Sequence, residues 1–269
     1  MWVGFIYDFK LYVLGISTIV NALIWFFFVA KMDLVRVMVD LMKETITERI
    51  SYMKEIFPYQ WKIALSWISG FFIFQLFNPV LFATEGAVVA GQMGMTISVL
   101  NGIQALSMSW ISTKVPLYSG LIAKQNYVLL DNLFNKTLKQ QAFVSLGLLT
   151  ILFVGANFLS ITQLKLGDNV LAERLLPIWP MFLMMVPLFS NQFVNAWATY
   201  LRCHKREPYL VLSIVGGVAC SLSTFVLGNL FGLMGIVLGY CVITIILTFW
   251  GYEIYHKCKK QWHQSTIIK

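Results

Sequence analysis

Asn191, Asn195 and Thr199 recur every four residues inside an otherwise oily segment, and Arg202 continues the row beyond its end. In a helix this spacing stacks the side chains on one face. A second row runs through Ser98, Asn101, Ala105, Ser109 and Ser112 with Gln104 beside it, and the pair Gln75 and Asn78 stands next to Pro79. Carboxamides and hydroxyls do not titrate near neutral pH, so their chemistry is reversible hydrogen bonding. An unsatisfied amide in hydrocarbon is costly, which keeps such rows away from lipid. Two uses stay open: hydrogen bonds between helices, which small polar residues supply routinely, or the wall of a hydrophilic cavity. No charged residue lies deep within an apolar run, so a buried carboxylate relay for protons is not evident.

The elements that carry these rows follow from composition. Of 269 residues, 58% are hydrophobic and 12% charged, with a mean hydropathy of +0.73. A soluble domain carries about 25% charged residues. A bilayer is the solvent that accepts this much apolar surface. The net charge of +8 does not imply nucleic acid, because the basic residues lie between apolar runs and form no single patch. Seven stretches are long enough to span, roughly 11–30, 63–83, 88–112, 141–160, 175–201, 209–229 and 232–254.

Lysine and arginine set the orientation. Lys31, Arg36, Lys43, Arg49, Lys54 and Lys62 fall between the first two spans, and Lys114, Lys124, Lys136 and Lys139 between the third and fourth. Arg202, Lys205 and Arg206 crowd the turn "YLRCHKREPYL" at 200–210, and Lys257, Lys259, Lys260 and Lys269 follow the last span. The opposite side receives Lys10, Lys165 and Arg174. The positive-inside rule then predicts an all-α polytopic membrane protein with the N-terminus outside and the C-terminus in the cytoplasm.

Four regions are expected: 1–30, the last helix of an incomplete N-terminal lobe; 31–62, a cytoplasmic connector; 63–254, a six-helix lobe; and 255–269, a basic cytoplasmic tail. Within the connector, Leu34, Met38, Leu41, Ile46, Ile50, Met53 and Phe57 recur at near-helical spacing, which predicts an amphipathic helix on the membrane surface ended by Pro58. Pro177, Pro180 and Pro187 are expected to interrupt one span at three levels, as a flexing element or a static bend. Gly235 and Gly239 are spaced for close helix packing, and Glu85 in "ATEGA" reads as a solvated turn. Cys203, Cys220, Cys241 and Cys258 form no C-x-x-C pair and read as reduced thiols. His256, Cys258 and His263 read as a solvated tail in preference to metal ligands, since no fourth ligand is visible. The opening "MWVGFIYDFK" has no signal-peptide pattern.

Residues 195–240, "NAWATYLRCHKREPYLVLSIVGGVACSLSTFVLGNLFGLMGIVLGY", resemble the tenth to twelfth helices of Wzx-type polysaccharide flippases, members of the MATE-like MOP exporter superfamily. The features that carry the resemblance are the turn Tyr200, Leu201, Arg202, His204, Lys205, Glu207, Pro208 and the glycines Gly232, Gly235 and Gly239. "NPVLFATEGAVVAGQMGMTISVLNGIQAL" (78–106) is similar to the seventh and eighth helices. The resemblance implies helix six plus the C-terminal six-helix lobe of such a transporter, hence a fragment, set in a bacterial inner membrane. Its implied function is flipping lipid-linked oligosaccharide for surface polysaccharide or lipopolysaccharide, with no cofactor. The cavity candidates are then Gln75, Asn78, Asn101, Gln104, Asn191, Asn195, Thr199 and Arg202, and a sugar–pyrophosphate headgroup would use their amides and hydroxyls. Arg202, Lys205 and Arg206 could attract its phosphate, although orientation alone accounts for these charges.

Two other classes stand beside this reading. A polytopic glycosyltransferase or polymerase needs a carboxylate base or metal ligands in a sizeable loop. The outer connections are short, and only Asp168 and Glu173 share one. No phosphate cradle of the kind used by ATP-driven pumps occurs. A non-transporting scaffold subunit is the third class.

Overall fold

Helices dominate because the apolar runs contain few residues that punctuate them, and where they do break the cause is local. In the computed structural model, residues 12–31, 39–40, 51–163, 165–166 and 169–264 are described. The chain divides into two units, Met1–Ser51 and Tyr52–Lys269. The first contains α1, Tyr12–Lys31. Most of the expected amphipathic connector lies outside the described residues; Val39 and Asp40 within it are helical.

The second unit opens with a five-residue π-helical turn, Tyr52–Ile56, running directly into α2, Phe57–Gln75. Pro58 therefore starts a helix where the sequence predicted an end. It occupies the first turn, whose N–H groups have no intrahelical acceptor in any case. The helix pauses for one residue at Leu76 and resumes as α3, Phe77–Glu85. Pro79 explains the pause, because it has no N–H for the carbonyl of Gln75 four residues back. Gly86, at φ 90°, turns the chain into α4, Ala87–Ser112.

The segment 113–140 is largely helical. It holds α5, Val115–Ala123, and the start of α6, Tyr127–Thr162. Asn126 caps α6 by accepting from Leu129 N at 3.2 Å, and Gln163 closes it in a left-handed conformation at φ 49°. A two-residue antiparallel ladder (β1, Lys165–Leu166, with β2, Asn169–Val170) and a 3-10 turn, Leu171–Arg174, lead to α7, Ile178–Arg202.

Of the three prolines expected to interrupt that span, Pro187 alone lies in the helix interior. Pro177 is the N-cap and Pro180 falls in the first turn, so neither removes an existing bond. The last element, α8, Leu210–Gln264, is one helical stretch broken at Gly232 (φ 56°, ψ −137°). Its arms, 210–231 and 233–264, lie back to back. A Cβ at Gly235 would come within 2.1 Å of the Leu227 carbonyl oxygen, and one at Gly239 within 2.1 Å of Ser223 Oγ. The expected close packing at these two glycines is thus between the arms of this hairpin. The second arm stays helical to Gln264, so the described part of the expected tail is a helix end with Tyr255 buried and His256, Lys257, Lys260 and Gln261 exposed; residues 265–269 lie outside the described residues.

Residue pairings set the two poles of the unit. At one, Tyr59 OH donates to the Arg202 carbonyl and Asp131 receives Tyr200 OH and Lys259 Nζ. At the other, the Leu233 N–H donates to the Glu85 carboxylate and Gln92 Nε2 to the Glu173 carbonyl. Glu85, exposed at the turn as the sequence predicted, also caps the second arm. Arg202, Lys205, Arg206, Lys257, Lys259 and Lys260 cluster at the first pole; Lys165 and Arg174 belong to the second.

The interior holds two apolar clusters. Phe77, Leu81, Met93, Met181 and Val237 belong to one; Tyr118, Phe134, Tyr200, Leu201 and Tyr209 to the other. Large apolar side chains also cover the outside, with Trp67 70% exposed, Phe143 80% and Phe249 70%. Three helical stretches, Tyr52–Glu85, Tyr127–Thr162 and Leu210–His263, are long and apolar enough to cross a bilayer. Such a surface is compatible with a membrane protein.

Candidate functional site

Gln75 ends α2, Asn78 lies one turn on in α3, and both are exposed. The tight turn at Gly86 folds α4 back against α3, so that Asn78 Nδ2 lies only 3.1 Å from where a Cβ on Gly94 would be. Ser98 and Asn101 follow on α4 one and two turns from Gly94, and they too are exposed. The Ser98 hydroxyl is engaged with the Gly94 carbonyl at 2.8 Å. Gln75, Asn78, Ser98 and Asn101 make one polar row across α2, α3 and α4, bordered by exposed Phe71, Phe72 and Met95. Gln104, one turn further, is half-buried.

Asn191 lies behind this row. Its Nδ2 donates to Tyr240 OH at 3.2 Å. Tyr240 joins Asn101, Phe74, Ile97, Leu100, Met184 and Leu188 around a cavity of about 10 Å³, the size of one water. Asn195 and Thr199 are half-buried, and the Thr199 hydroxyl donates to the Asn195 carbonyl at 2.8 Å. That bond uses the backbone of Asn195, not its amide.

Arg202 does something the row did not foretell. Its Nε and one terminal nitrogen hold the two oxygens of Glu207 at 2.5 and 3.0 Å, a bidentate pair. The Glu207 side chain is only 1% exposed. Lys205 between them takes a left-handed conformation at φ 58°. The guanidinium thus closes the turn 202–207, while Lys205 and Arg206 stay exposed. Arg206 lies over the Trp262 ring at 5.1 Å.

A second polar group escaped sequence reasoning. Thr137, Gln141 and Ser145 stand on three successive turns of α6, all buried. Gln141 Nε2 donates to Gln192 Oε1 at 2.8 Å and lies 2.9 Å from Met108 Sδ. The signal was present in the same four-residue spacing that marks Asn191, Asn195 and Thr199. Thr137 lies outside the apolar stretch 141–160, which hides the pattern, and Gln192 adjoins Asn191, which carries the more regular row.

At the basic pole, Asp131 accepts from Tyr200 OH at 2.7 Å and pairs with Lys259 at 3.0 Å, while His263 Nδ1 lies 3.8 Å from it. His263 stacks on Tyr127 with ring centres 4.2 Å apart. Burial lowers the pKa of both His204 and His263, and Asp131 opposes part of that lowering. His263 is therefore a packing residue, where the sequence predicted a solvated tail. Among the described residues no group of three or more His, Cys, Asp or Glu is placed to hold a metal, and the four cysteines are free.

At the far pole, a cavity of about 810 Å³ opens between the end of α6 and the start of α7. Phe153, Ala156, Leu176, Trp179 and Phe182 give it apolar walls, with Asn157 and Ser160 as polar points. No protein-family model matches the chain, and no curated protein and no solved structure is found similar to it.

Proposed function

We propose that residues 52–269 act as one lobe of a polysaccharide flippase, moving lipid-linked oligosaccharide across a bacterial inner membrane. The observation that carries this reading is the exposed row Gln75, Asn78, Ser98 and Asn101 set among exposed apolar side chains such as Phe71, Phe72 and Met95. Amides facing hydrocarbon lose several kcal/mol each. A row of them is stable only against water or a polar ligand, and glycan hydroxyls are matched by groups that both donate and accept. The resemblance of residues 195–240 and 78–106 to Wzx-type flippases points the same way.

In this reading seven crossings are made by α1, α2 with α3, α4, α6, α7 and the two arms of α8. The pole bearing Arg202, Lys205, Arg206 and the lysines of the second arm faces the cytoplasm. Asn191, Asn195 and Thr199 extend the polar lining behind the row, and exposed Lys205 and Arg206 are the cations available to a phosphate, since Arg202 is held by Glu207.

The test uses cells whose surface glycan depends on the intact transporter. Asn78→Leu and Asn101→Leu should lower surface glycan at least tenfold per copy of protein, with unchanged protein level and melting temperature. Full export per copy in the double variant would refute the cavity assignment. Export that falls only in step with protein abundance would refute it equally.

A further inference from the structure

We propose that Ser107, Gln141, Ser145 and Gln192 enclose a binding site for internal water between α4, α6 and α7. This inference is independent of the transport reading. The four residues come from three helices and are 0%, 1%, 0% and 1% exposed. The Gln141 amide spends its nitrogen on the Gln192 side chain at 2.8 Å and, more loosely, on the Gln192 carbonyl at 3.4 Å. Gln141 Oε1, Gln192 Nε2 and both serine hydroxyls are left without a protein partner.

The serines sharpen the point. Buried in a helix, Ser and Thr ordinarily return their hydroxyl to the carbonyl one turn back. Buried Thr137 and Thr224 do so here, at 2.8 and 2.7 Å. Ser107 and Ser145 do not. Ser145 stands one turn from Gln141, and Ser107 adjoins Met108, whose sulfur meets Gln141. Gln141 thus bonds Gln192 and Met108, the chain neighbour of Ser107, and stands one turn from Ser145.

One unmatched buried polar atom costs about 1–3 kcal/mol. Four together form a set that a water with two to four hydrogen bonds satisfies. The balance of donors and acceptors selects the ligand. Gln141 Oε1 accepts, Gln192 Nε2 donates, and each hydroxyl does either. Turning both amides over leaves one donor and one acceptor again, so the result does not depend on their assignment. A cation would always meet amide hydrogens on one side; water meets none of its own kind.

The test is thermal unfolding of the full chain in detergent for Ser107→Ala, Ser145→Ala and the double variant. Each change deletes one oxygen and no packing atom. Hydroxyls bound to water predict a loss of about 2–4 °C for each single variant, with the double variant losing less than the sum because the ligand is shared. Hydroxyls without a ligand predict no change or a rise on deletion, which would overturn the proposal. Strictly additive losses would overturn the shared site. A melting temperature that is higher in sodium chloride than in choline chloride, with the difference abolished by Ser145→Ala, would replace water by a cation.

Discussion

The row Gln75, Asn78, Ser98, Asn101 and the cluster Ser107, Gln141, Ser145, Gln192 are built from the same chemistry, amides and serines on helices, and have opposite surroundings. The first is exposed on α2, α3 and α4, while the second is closed off between α4, α6 and α7. Helix α4 contributes to both, from different faces: Ser98 and Asn101 point out, and Ser107, about two and a half turns from Ser98 and so on the opposite face, points in. Residue type says that a side chain needs hydrogen-bond partners. Only the neighbouring helices decide whether those partners come from the protein or from something outside it.

This contrast can be broken most forcefully at Gln192. Gln192→Leu strands the Gln141 amide in the interior and should cost about 1–3 kcal/mol, seen as a lower melting temperature with export per copy unchanged. A variant as stable as the parent would mean that the Gln141–Gln192 bond at 2.8 Å contributes nothing. Asn191 stands between the two regions. Asn191→Leu removes the donor to Tyr240 OH, and about 0.6 kcal/mol is the usual worth of an interhelical hydrogen bond in a membrane; a loss above 2 kcal/mol would place it with the buried set.

On the flippase proposal, Asn195→Leu should impair glycan export with melting nearly unaltered, because the Thr199 hydroxyl binds the Asn195 carbonyl and leaves the amide out of the structure's bonding. Destabilisation with export falling only as abundance falls would move Asn195 to the packing side. The least stability change is expected for Asn101→Leu, within about 0.5 kcal/mol as for other exposed positions.

Neither region titrates near neutrality, so pH offers a control. His204 and His263 have pKa values lowered by burial, which means that the folded state prefers them neutral. Their contribution is fully present above the unfolded histidine value of about 6.5 and is lost as pH falls through it, because the unfolded chain then binds more protons. A small fall in melting temperature between pH 7.5 and 5.5, abolished in the His204→Gln/His263→Gln variant, is expected. A pH dependence that survives this variant would place a titrating group elsewhere.

Much of the architecture was readable from hydropathy and charge. The basic turn at 200–210 and the basic last helix do lie at one pole, and Lys165 and Arg174 at the other. Helix ends were less readable, because a helix continues into water wherever side chains such as those of Tyr127 and His263 find partners across it, and apolar periodicity does not report such contacts. Pro58 and Pro180 were read as breakers, although a proline in the first turn removes no bond. The spacing of Asn191, Asn195 and Thr199 was visible; the engagement of Arg202 by Glu207 was not, since it depends on the left-handed backbone at Lys205. The spacing of Thr137, Gln141 and Ser145 was visible too; the pairing of Gln141 with Gln192 was not, because 51 residues separate them in sequence.

The break at Gly232 bears on how such a chain is made. The arms 210–231 and 233–264 share a single non-helical residue, and a Cβ there would run into the Glu85 carboxylate. A chain fed into a bilayer during its synthesis has no slack at this point with which to park the first arm while the second emerges. On the proposed reading, in which both arms cross the bilayer, they enter together as one hairpin, and a reporter domain spliced in at residue 232 should block biogenesis rather than report which side of the membrane it lies on.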